Sequence, residues 1–294
     1  LAATVLIWTT PSLFQYYLFE HYDVWTQNFY RYAAGFLVVL PFGYLKRGGE
    51  SGKISWSQWR AAMLTSLPNA LHQITQTLAV LFMLPGLYAV FGRMAVLITA
   101  VLAGIMLVEE RWVWRSRLFK IALLVGVGAG MGLAFFRPGV TWATDWKGVA
   151  LALVAISTWA LYSVLIKKQT VQMGPARAFS LIGFLTSVVL LICMLAFGDG
   201  GAILRAPWQA NLILFGSGAL CIGLGHALFY ASVRDLGATF TQSIQLLSPL
   251  GTVLLSGWLF GEVFQPVQWA LALVLLGGTL LAMLAREREI SLPK

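Results

Sequence analysis

The sequence predicts an all-α integral membrane protein of ten transmembrane helices, arranged as two inverted five-helix repeats. Three observations carry that reading: a chain too poor in charge to face water, ten apolar windows of spanning length, and a match between its two halves. Of 294 residues, 59% are hydrophobic and only 11% charged, with mean hydropathy +0.79; a soluble domain carries about 25% charged residues. Such a chain cannot clothe a water-facing surface, so lipid is its solvent.

A helix needs about 20 mostly apolar residues to cross roughly 30 Å of hydrocarbon. Windows of that length fall, in order, at 1–19, 25–45, 60–82, 86–108, 117–136, 148–166, 177–197, 211–233, 237–260 and 266–285. The first leads straight into further spans with no small-residue cleavage pattern, and reads as a helix whose cytoplasmic flank is missing, not as a signal peptide. The runs are too long and too evenly apolar for the alternating strands of a membrane barrel. Between the windows lie short charged loops. With the first helix running outward, the inner segments hold Lys46, Arg47, Lys53, Arg60, Arg111, Arg115, Arg117, Lys120, Lys167, Lys168, Arg177, Arg234, Arg286, Arg288 and Lys294. The outer loops hold only Arg137, Lys147 and Arg205. This bias puts both termini in the cytoplasm, and it gives the net charge of +9 a topological meaning that leaves no place for nucleic acid. Cys193 and Cys221 both lie in apolar runs, so neither a disulfide framework nor a metal site is indicated.

Ala2–Trp8 in the first window lines up with Leu153–Trp159 in the sixth, and the same offset puts Gly86 on Gly237 and Gly126 on Gly277. Glu110 and Glu262, just past the fourth and ninth windows, pair after one inserted residue. Five spans is an odd number, so the repeats, residues 1–136 and 148–285, face opposite ways across the bilayer. Inverted repeats typify secondary transporters that bind substrate near the midplane, between the halves.

The stretch Gln27–Asn28–Phe29–Tyr30–Arg31–Tyr32, leading into Leu40–Pro41–Phe42, resembles the second helix of the EamA family of drug/metabolite transporters. Leu247–Ser248–Pro249 followed by Gly261–Glu262 resembles the end of that family's repeat. Gly148–Leu165, with Trp159–Ala160–Leu161–Tyr162–Ser163, is similar to the start of its second copy. The resemblance covers the whole chain as two units. The first unit departs from the pattern: it has no proline where the second has Pro249, and carries Arg93 in that helix. The resemblance implies a transporter, with the amino-acid and metabolite exporters as the branch that suggests a solute, and a bacterial inner membrane as its location.

No carboxylate falls near the midplane, since all eleven acidic residues sit in loops or at span ends. Cation/proton exchange through a buried glutamate, known from small multidrug-resistance relatives, is therefore not expected. Arg31 and Arg93 lie inside spans. Each either draws a substrate anion, which a guanidinium matches, or bonds helix carbonyls and snorkels outward; the family pattern favours the structural role for Arg31. Polar stripes at helical spacing include Asn69, His72, Gln73 and Gln76 in the third window. Gln242, Gln245 and Thr252 form another in the ninth, where Pro249 bends the helix as a hinge. Trp8, Ser12, Gln15 and Tyr16 in the first match Trp159, Tyr162 and Ser163 in the sixth, and His226 with Tyr230 marks the eighth. Such groups either glue helices together or wall a central cavity. We take the cavity as the reading. Its substrate contacts are Trp8, Asn69, His72, Gln76, Arg93, Trp159, Tyr162, His226, Gln242 and Gln245.

The function expected is alternating-access transport of a small zwitterionic or amphipathic metabolite such as an amino acid, by export or exchange. A phosphorylated-solute or nucleotide-sugar exchanger is the rival within transport, and it would need several inward-facing cations. An intramembrane enzyme or a non-transporting receptor is the rival outside it; no His-Glu-x-x-His or Gly-x-Ser-x-Gly pattern occurs. The partners expected are the solute and the lipid bilayer, with no cofactor and no metal, in a monomer or homodimer of the plasma membrane.

Overall fold

The computed structural model describes residues 2–44, 54–135, 142–245 and 248–291, and among these the regular structure is entirely helical. The expected loop cations Lys46, Arg47, Lys53, Arg137 and Lys294, with Glu50 and Leu247, lie outside the described residues; so do the side chains of Glu109, Gly130, Trp142, Asp145 and Arg286–Glu289.

Helix occupies every apolar window. The first holds α1 (Ala2–Ile7) and α2 (Pro11–Leu18), the second α3 (Val24–Tyr44) and the third α4 (Trp56–Phe82). In the fourth are α5 (Pro85–Phe91) and α6 (Met94–Met106), followed by a 3-10 turn at Val108–Trp114 and then α7 (Arg117–Phe135). The later windows hold α8 (Trp142–Met173) and α9 (Pro175–Phe197), then, past a single turn α10 (Ala202–Arg205), α11 (Trp208–Ser217) and α12 (Gly225–Leu236), joined by a π-helical stretch at Gly218–Leu224. Last come α13 (Ala238–Ile244), α14 (Ser248–Phe260) and α15 (Pro266–Ser291). Four stretches are long and apolar enough to cross a membrane: Pro85–Met106, Trp146–Met173, Pro175–Phe197 and Trp208–Leu236.

Local chemistry sets the ends. Ser55 caps α4 reciprocally with Gln58: the Gln58 amide donates to Ser55 Oγ (3.2 Å), and the Ser55 amide to Gln58 Oε1 (2.9 Å). Pro11, Pro85 and Pro175 occupy first turns, where a missing N–H costs nothing. Gly174 (φ 76°) and Gly237 (φ 86°) make the left-handed turns after α8 and α12.

Burial is distributed as hydrocarbon solvent requires. Leu6, Leu124, Leu195 and Leu254 are exposed, while Gln15, Gln27, Asn28, Asn69 and Thr77 are buried. Most of these groups bond across helices: Gln15 Nε2 donates to Thr77 Oγ1 (2.9 Å), which donates to Asn28 Oδ1 (2.8 Å); the Gln27 side-chain amide has no partner among the described residues. The most extensive packing joins α4 with α8, α3 with α9 and α7 with α15. Along α3 the approach to the π stretch is backbone to backbone. A Cβ at Gly218 would stand 2.3 Å from the Arg31 carbonyl oxygen, and one at Gly35 would stand 2.8 Å from the Gly223 nitrogen.

Two windows read as single helices, the first and the fourth, are divided. Pro11 has no N–H to reach the Ile7 carbonyl; the Thr10 amide (3.2 Å) and Thr10 Oγ1 (2.8 Å) take it instead, and the chain turns between α1 and α2. In the fourth window the Ala89 carbonyl, which in a continuous helix would accept the Arg93 amide, accepts Arg93 Nε (3.3 Å), and the Arg93 amide moves to Val90 (3.1 Å). That exchange divides α5 from α6. In the ninth window α13 and α14 are described on either side of residues 246–247, and the expected hinge Pro249 is within α14; the junction itself lies outside the described residues.

The two glutamates past the fourth and ninth windows reach across the molecule. Glu262 accepts the amides of Gly86 (2.8 Å) and Leu87 (2.9 Å) at the start of α5, and also Ser256 Oγ (2.5 Å). Glu110 accepts Thr239 Oγ1 (3.0 Å) at the start of α13 and Trp112 Nε1 (3.3 Å). A carboxylate on the first amides of a helix satisfies donors the helix cannot.

Candidate central cavity

The divided helices face one another. Arg93, in the turn between α5 and α6, donates through Nη1 to the Gln245 carbonyl at the end of α13 (2.6 Å). At the α1–α2 turn, Trp8 Nε1 donates to the Cys221 carbonyl in the π stretch (3.1 Å), and the Thr9 carbonyl accepts Thr252 Oγ1 of α14 (2.7 Å). Irregular backbone at this depth is tolerated where it is buried in protein or lines a cavity. Here it surrounds a cavity of about 110 Å³, far more than the 10–15 Å³ or so that one ordered water occupies.

One wall is aromatic. Trp8 and Trp159 meet edge to face at 5.3 Å, His72 lies 4.8 Å from the Trp159 ring, and His226 packs on Trp8 at 5.5 Å and on Phe179 at 5.4 Å. Phe229 stacks behind Trp159 at 5.2 Å. Each cavity imidazole is oriented through Nδ1, to the Ala155 carbonyl for His72 (2.8 Å) and the Ile222 carbonyl for His226 (3.0 Å). In the neutral rings Nδ1–H donates, so both Nε2 atoms are acceptors; that of His226 is buried without a partner.

The other wall is polar. Gln76 donates to Gln15 Oε1 (3.2 Å), and Gln242 donates to Ser163 Oγ (2.7 Å). Gln245 receives Ser248 Oγ (3.4 Å), but its own Nε2 is buried with no acceptor. Arg31 is 2% exposed; its Nε donates to Ser217 Oγ (3.1 Å), and no other partner bonds its guanidinium among the described residues. Among the described residues no carboxylate lines the cavity, and no ion pair involves Arg31 or Arg93.

Of the ten residues singled out from sequence, eight line this cavity: Trp8, His72, Gln76, Arg93, Trp159, His226, Gln242 and Gln245. Asn69 and Tyr162 do not. Asn69 Nδ2 donates to Tyr32 OH and to Thr186 Oγ1 (3.1 Å), and Tyr162 OH bonds Tyr230 OH (2.7 Å), so both tie helices together. Pro249 is buried but does not reach the lining. The residues missing from the sequence selection are Ser12, Gln15 and Gln73, Tyr88 and Thr252, Cys221 and, most telling, Arg31. Ser12, Gln15, Gln73 and Thr252 belong to the polar stripes and were within reach of periodicity. Cys221 comes to the lining through the π stretch, which no residue pattern announces.

Comparison with known proteins bears on the identity of this arrangement. Residues 146–284 match the EamA-like transporter family. A protein of Pseudomonas aeruginosa described as uncharacterized is 32% identical over 202 residues, covering 68% of this chain and 65% of its own length. An uncharacterized transporter of Bacillus subtilis is 30% identical over 146 residues, and one of Clostridium kluyveri 23% identical over 145. The chain thus spans about half to two thirds of the curated relatives it matches. One protein of known crystal structure shares the fold over 98% of this chain and 96% of its own, with a TM-score of 0.69 at 16% identity. An apolar helical exterior and a family signature over the second half point the same way: this is a membrane-embedded protein, and it belongs to the EamA-like family of drug/metabolite transporters.

Proposed function

We propose that this chain is a ten-span secondary transporter that carries a small organic metabolite through the central cavity by alternating access. The observation that carries the proposal is the convergence of two divided helices, a π stretch and α13 on one polar and aromatic cavity. Discontinuous helices at a shared interface are how many transporters build a midplane site, and π stretches recur at functional positions. The solute in this reading has an apolar body, for Trp8 and Trp159, and a polar end, for the amides and guanidinium groups. Amino acids and other zwitterionic or amphipathic metabolites fit that description, and export or exchange follows from the family alone.

Residues 1–136 and 148–285 are, in this proposal, two five-helix units of opposite orientation. The crossed glutamates support it. Glu262 bonds the start of α5 and Glu110 the start of α13, so each carboxylate serves the unit it does not belong to. A twofold relation between the units generates that exchange, and the odd number of spans in each unit sets its axis in the membrane plane. The charge bias of the loops then sets both termini on the cytoplasmic side, in a bacterial inner membrane.

Counterflow into proteoliposomes, with a panel of labelled amino acids, purines, sugars and organic acids, tests the transport claim. We expect saturable exchange of at least one class, lost in Trp159→Ala and weakened in Gln245→Ala. No exchange of any class by folded protein, or full exchange in both variants, refutes transport through this cavity.

A further inference from the structure

The charge inventory of the cavity goes beyond the transport reading, on which it rests, because it selects the sign of the solute. The charged groups bordering the cavity are Arg31 and Arg93, from α3 and from the α5–α6 turn. The other titratable groups there are His72, His226, Tyr88 and Cys221, and no Asp or Glu is among them. Glu110 and Glu262, the carboxylates that lie buried nearest the helix starts, are engaged with Thr239, Gly86 and Leu87. Two guanidinium groups therefore stand in a low-dielectric interior with neutral partners only. A buried charge without a counter-charge is costly, and it persists in membranes at water-filled cavities and substrate paths.

The donors agree with the charges. One Nε–H of Arg31 goes to Ser217, leaving the terminal nitrogens of a side chain that is 2% exposed. Arg93 spends Nε on Ala89 and Nη1 on Gln245, leaving Nη2. Gln245 Nε2 is a buried donor with nothing to donate to. Against these stand only neutral acceptors, including the orphan Nε2 of His226. An ammonium group would meet like charges and no carboxylate on this lining, whereas a planar oxyanion finds unspent guanidinium donors.

We propose that Arg93 forms an oxyanion subsite in a cavity whose second bordering cation is Arg31, and that the solute is a small organic anion, a carboxylate or phosphate with an apolar body lying against Trp8 and Trp159. Its net charge is negative, which separates it from the zwitterionic amino acids. The assignment also fits the lack of a coupling carboxylate: in a cell negative inside, an anion leaves down the membrane potential, and export needs no coupled proton.

The test uses one ring with five end groups: benzoate, phenyl phosphate, phenylalanine, benzyl alcohol and benzylamine, each radiolabelled, binding to purified protein in nanodiscs. Benzoate or phenyl phosphate should bind, and the two arms tell which head group is taken; the neutral, zwitterionic and cationic compounds should bind at least about tenfold more weakly. Arg93→Gln should raise the Kd of the bound anion about 10- to 100-fold, the loss expected for a charge-assisted bond, and Arg93→Lys should restore part of it. Binding of benzyl alcohol, benzylamine or phenylalanine as tight as that of both anions overturns the proposal without recourse to any variant. So does an Arg93→Gln protein that folds and keeps the anion's Kd within about twofold. The two readings fail separately. Anion binding that depends on Arg93 but yields no counterflow keeps the subsite and refutes transport; phenylalanine counterflow indifferent to Arg93→Gln keeps transport and refutes the subsite.

Discussion

Gly86→Ala should change the sign of its effect according to whether residue 262 is a glutamate. A Cβ at Gly86 would stand 2.6 Å from Glu262 Oε2 and 3.0 Å from its carboxyl carbon. That oxygen cannot retreat freely, because it accepts the Gly86 amide at 2.8 Å and Ser256 Oγ at 2.5 Å, while Oε1 holds the Leu87 amide at 2.9 Å. Making room means breaking at least one charge-assisted bond, worth about 1.5–3 kcal/mol. Gly86→Ala in the natural protein should thus cost about 2 kcal/mol. Glu262→Ala alone strips the start of α5 of its acceptors and should cost about 3–5 kcal/mol. With the carboxylate gone the clash is gone too, and Gly86→Ala should then gain about 0.5–1 kcal/mol, the preference of a helix for alanine. The coupling between the two changes is therefore about 3 kcal/mol. It can be read from SDS titrations in mixed micelles, followed by fluorescence, on the two single variants and the double. Additivity within about 0.5 kcal/mol would refute the account of Glu262 as the acceptor that closes this helix start.

Gly218→Ala puts a Cβ 2.3 Å from the Arg31 carbonyl oxygen, which is backbone and has nowhere to go, whereas a Cβ at Gly216 meets nothing within 4 Å. The first should cost about 3 kcal/mol or prevent folding and the second should gain about 0.5–1 kcal/mol, as seen by melting in detergent. Asp23, in the turn before α3, has its pKa held below the ordinary 3.8: burial pushes it up, but is outweighed by Thr26 Oγ1 and the amides of Asp199, Thr26 and Trp25. A depressed folded pKa means stability that is present above 3.8 and lost as pH falls through the lower folded value. Melting temperatures of the natural protein and Asp23→Asn should therefore differ at pH 6 and draw together only as pH falls below 3.8, through the lower folded value. Tyr162→Phe removes the bond to Tyr230 and should cost about 1 kcal/mol with solute affinity unchanged, while Trp159→Phe should weaken affinity; equal effects on affinity would contradict their placement outside and inside the cavity.

The windows were legible because hydrocarbon forces them: a segment that must satisfy its own backbone and bury no charge announces itself by length and composition alone. What the windows conceal is the breaks. The Gly92–Arg93 turn arises because a guanidinium on the helix takes the Ala89 carbonyl from its own backbone amide, an event of geometry that hydropathy averages away. The turn at Thr10 had a readable cause in Pro11. The hinge expected at Pro249 sits beside residues 246–247, which lie outside the described residues. The reach of Glu262 to Gly86 is a third kind of case. The alignment of Glu110 with Glu262 showed that the two positions correspond, and nothing along the chain says that each serves the opposite helix.

The site divides along the same line. A stripe fixes which face of a helix is polar, not whether that face meets a cavity or a neighbouring side chain, and so it cannot separate His72 from Asn69, one turn apart on α4 and engaged on different neighbours. Arg31 shows the limit most clearly. A family pattern around it favours a structural role, and its bond to Ser217 together with the tight approach of Gly218 beneath its carbonyl fits that role. Yet the same approach pins the backbone of α3 against the π stretch, and Arg31 borders the cavity with only its Nε bonded, to Ser217, among the described residues. A structural attachment and a recognition role are not alternatives for this side chain. A cation must be held rigidly, and at its backbone, if it is to meet an anion without first reorganising. Arg93 is held in the same way by Ala89 and Gln245. Both guanidinium groups are thus fixed by neutral partners that do not quench their charge, the arrangement an anion site requires.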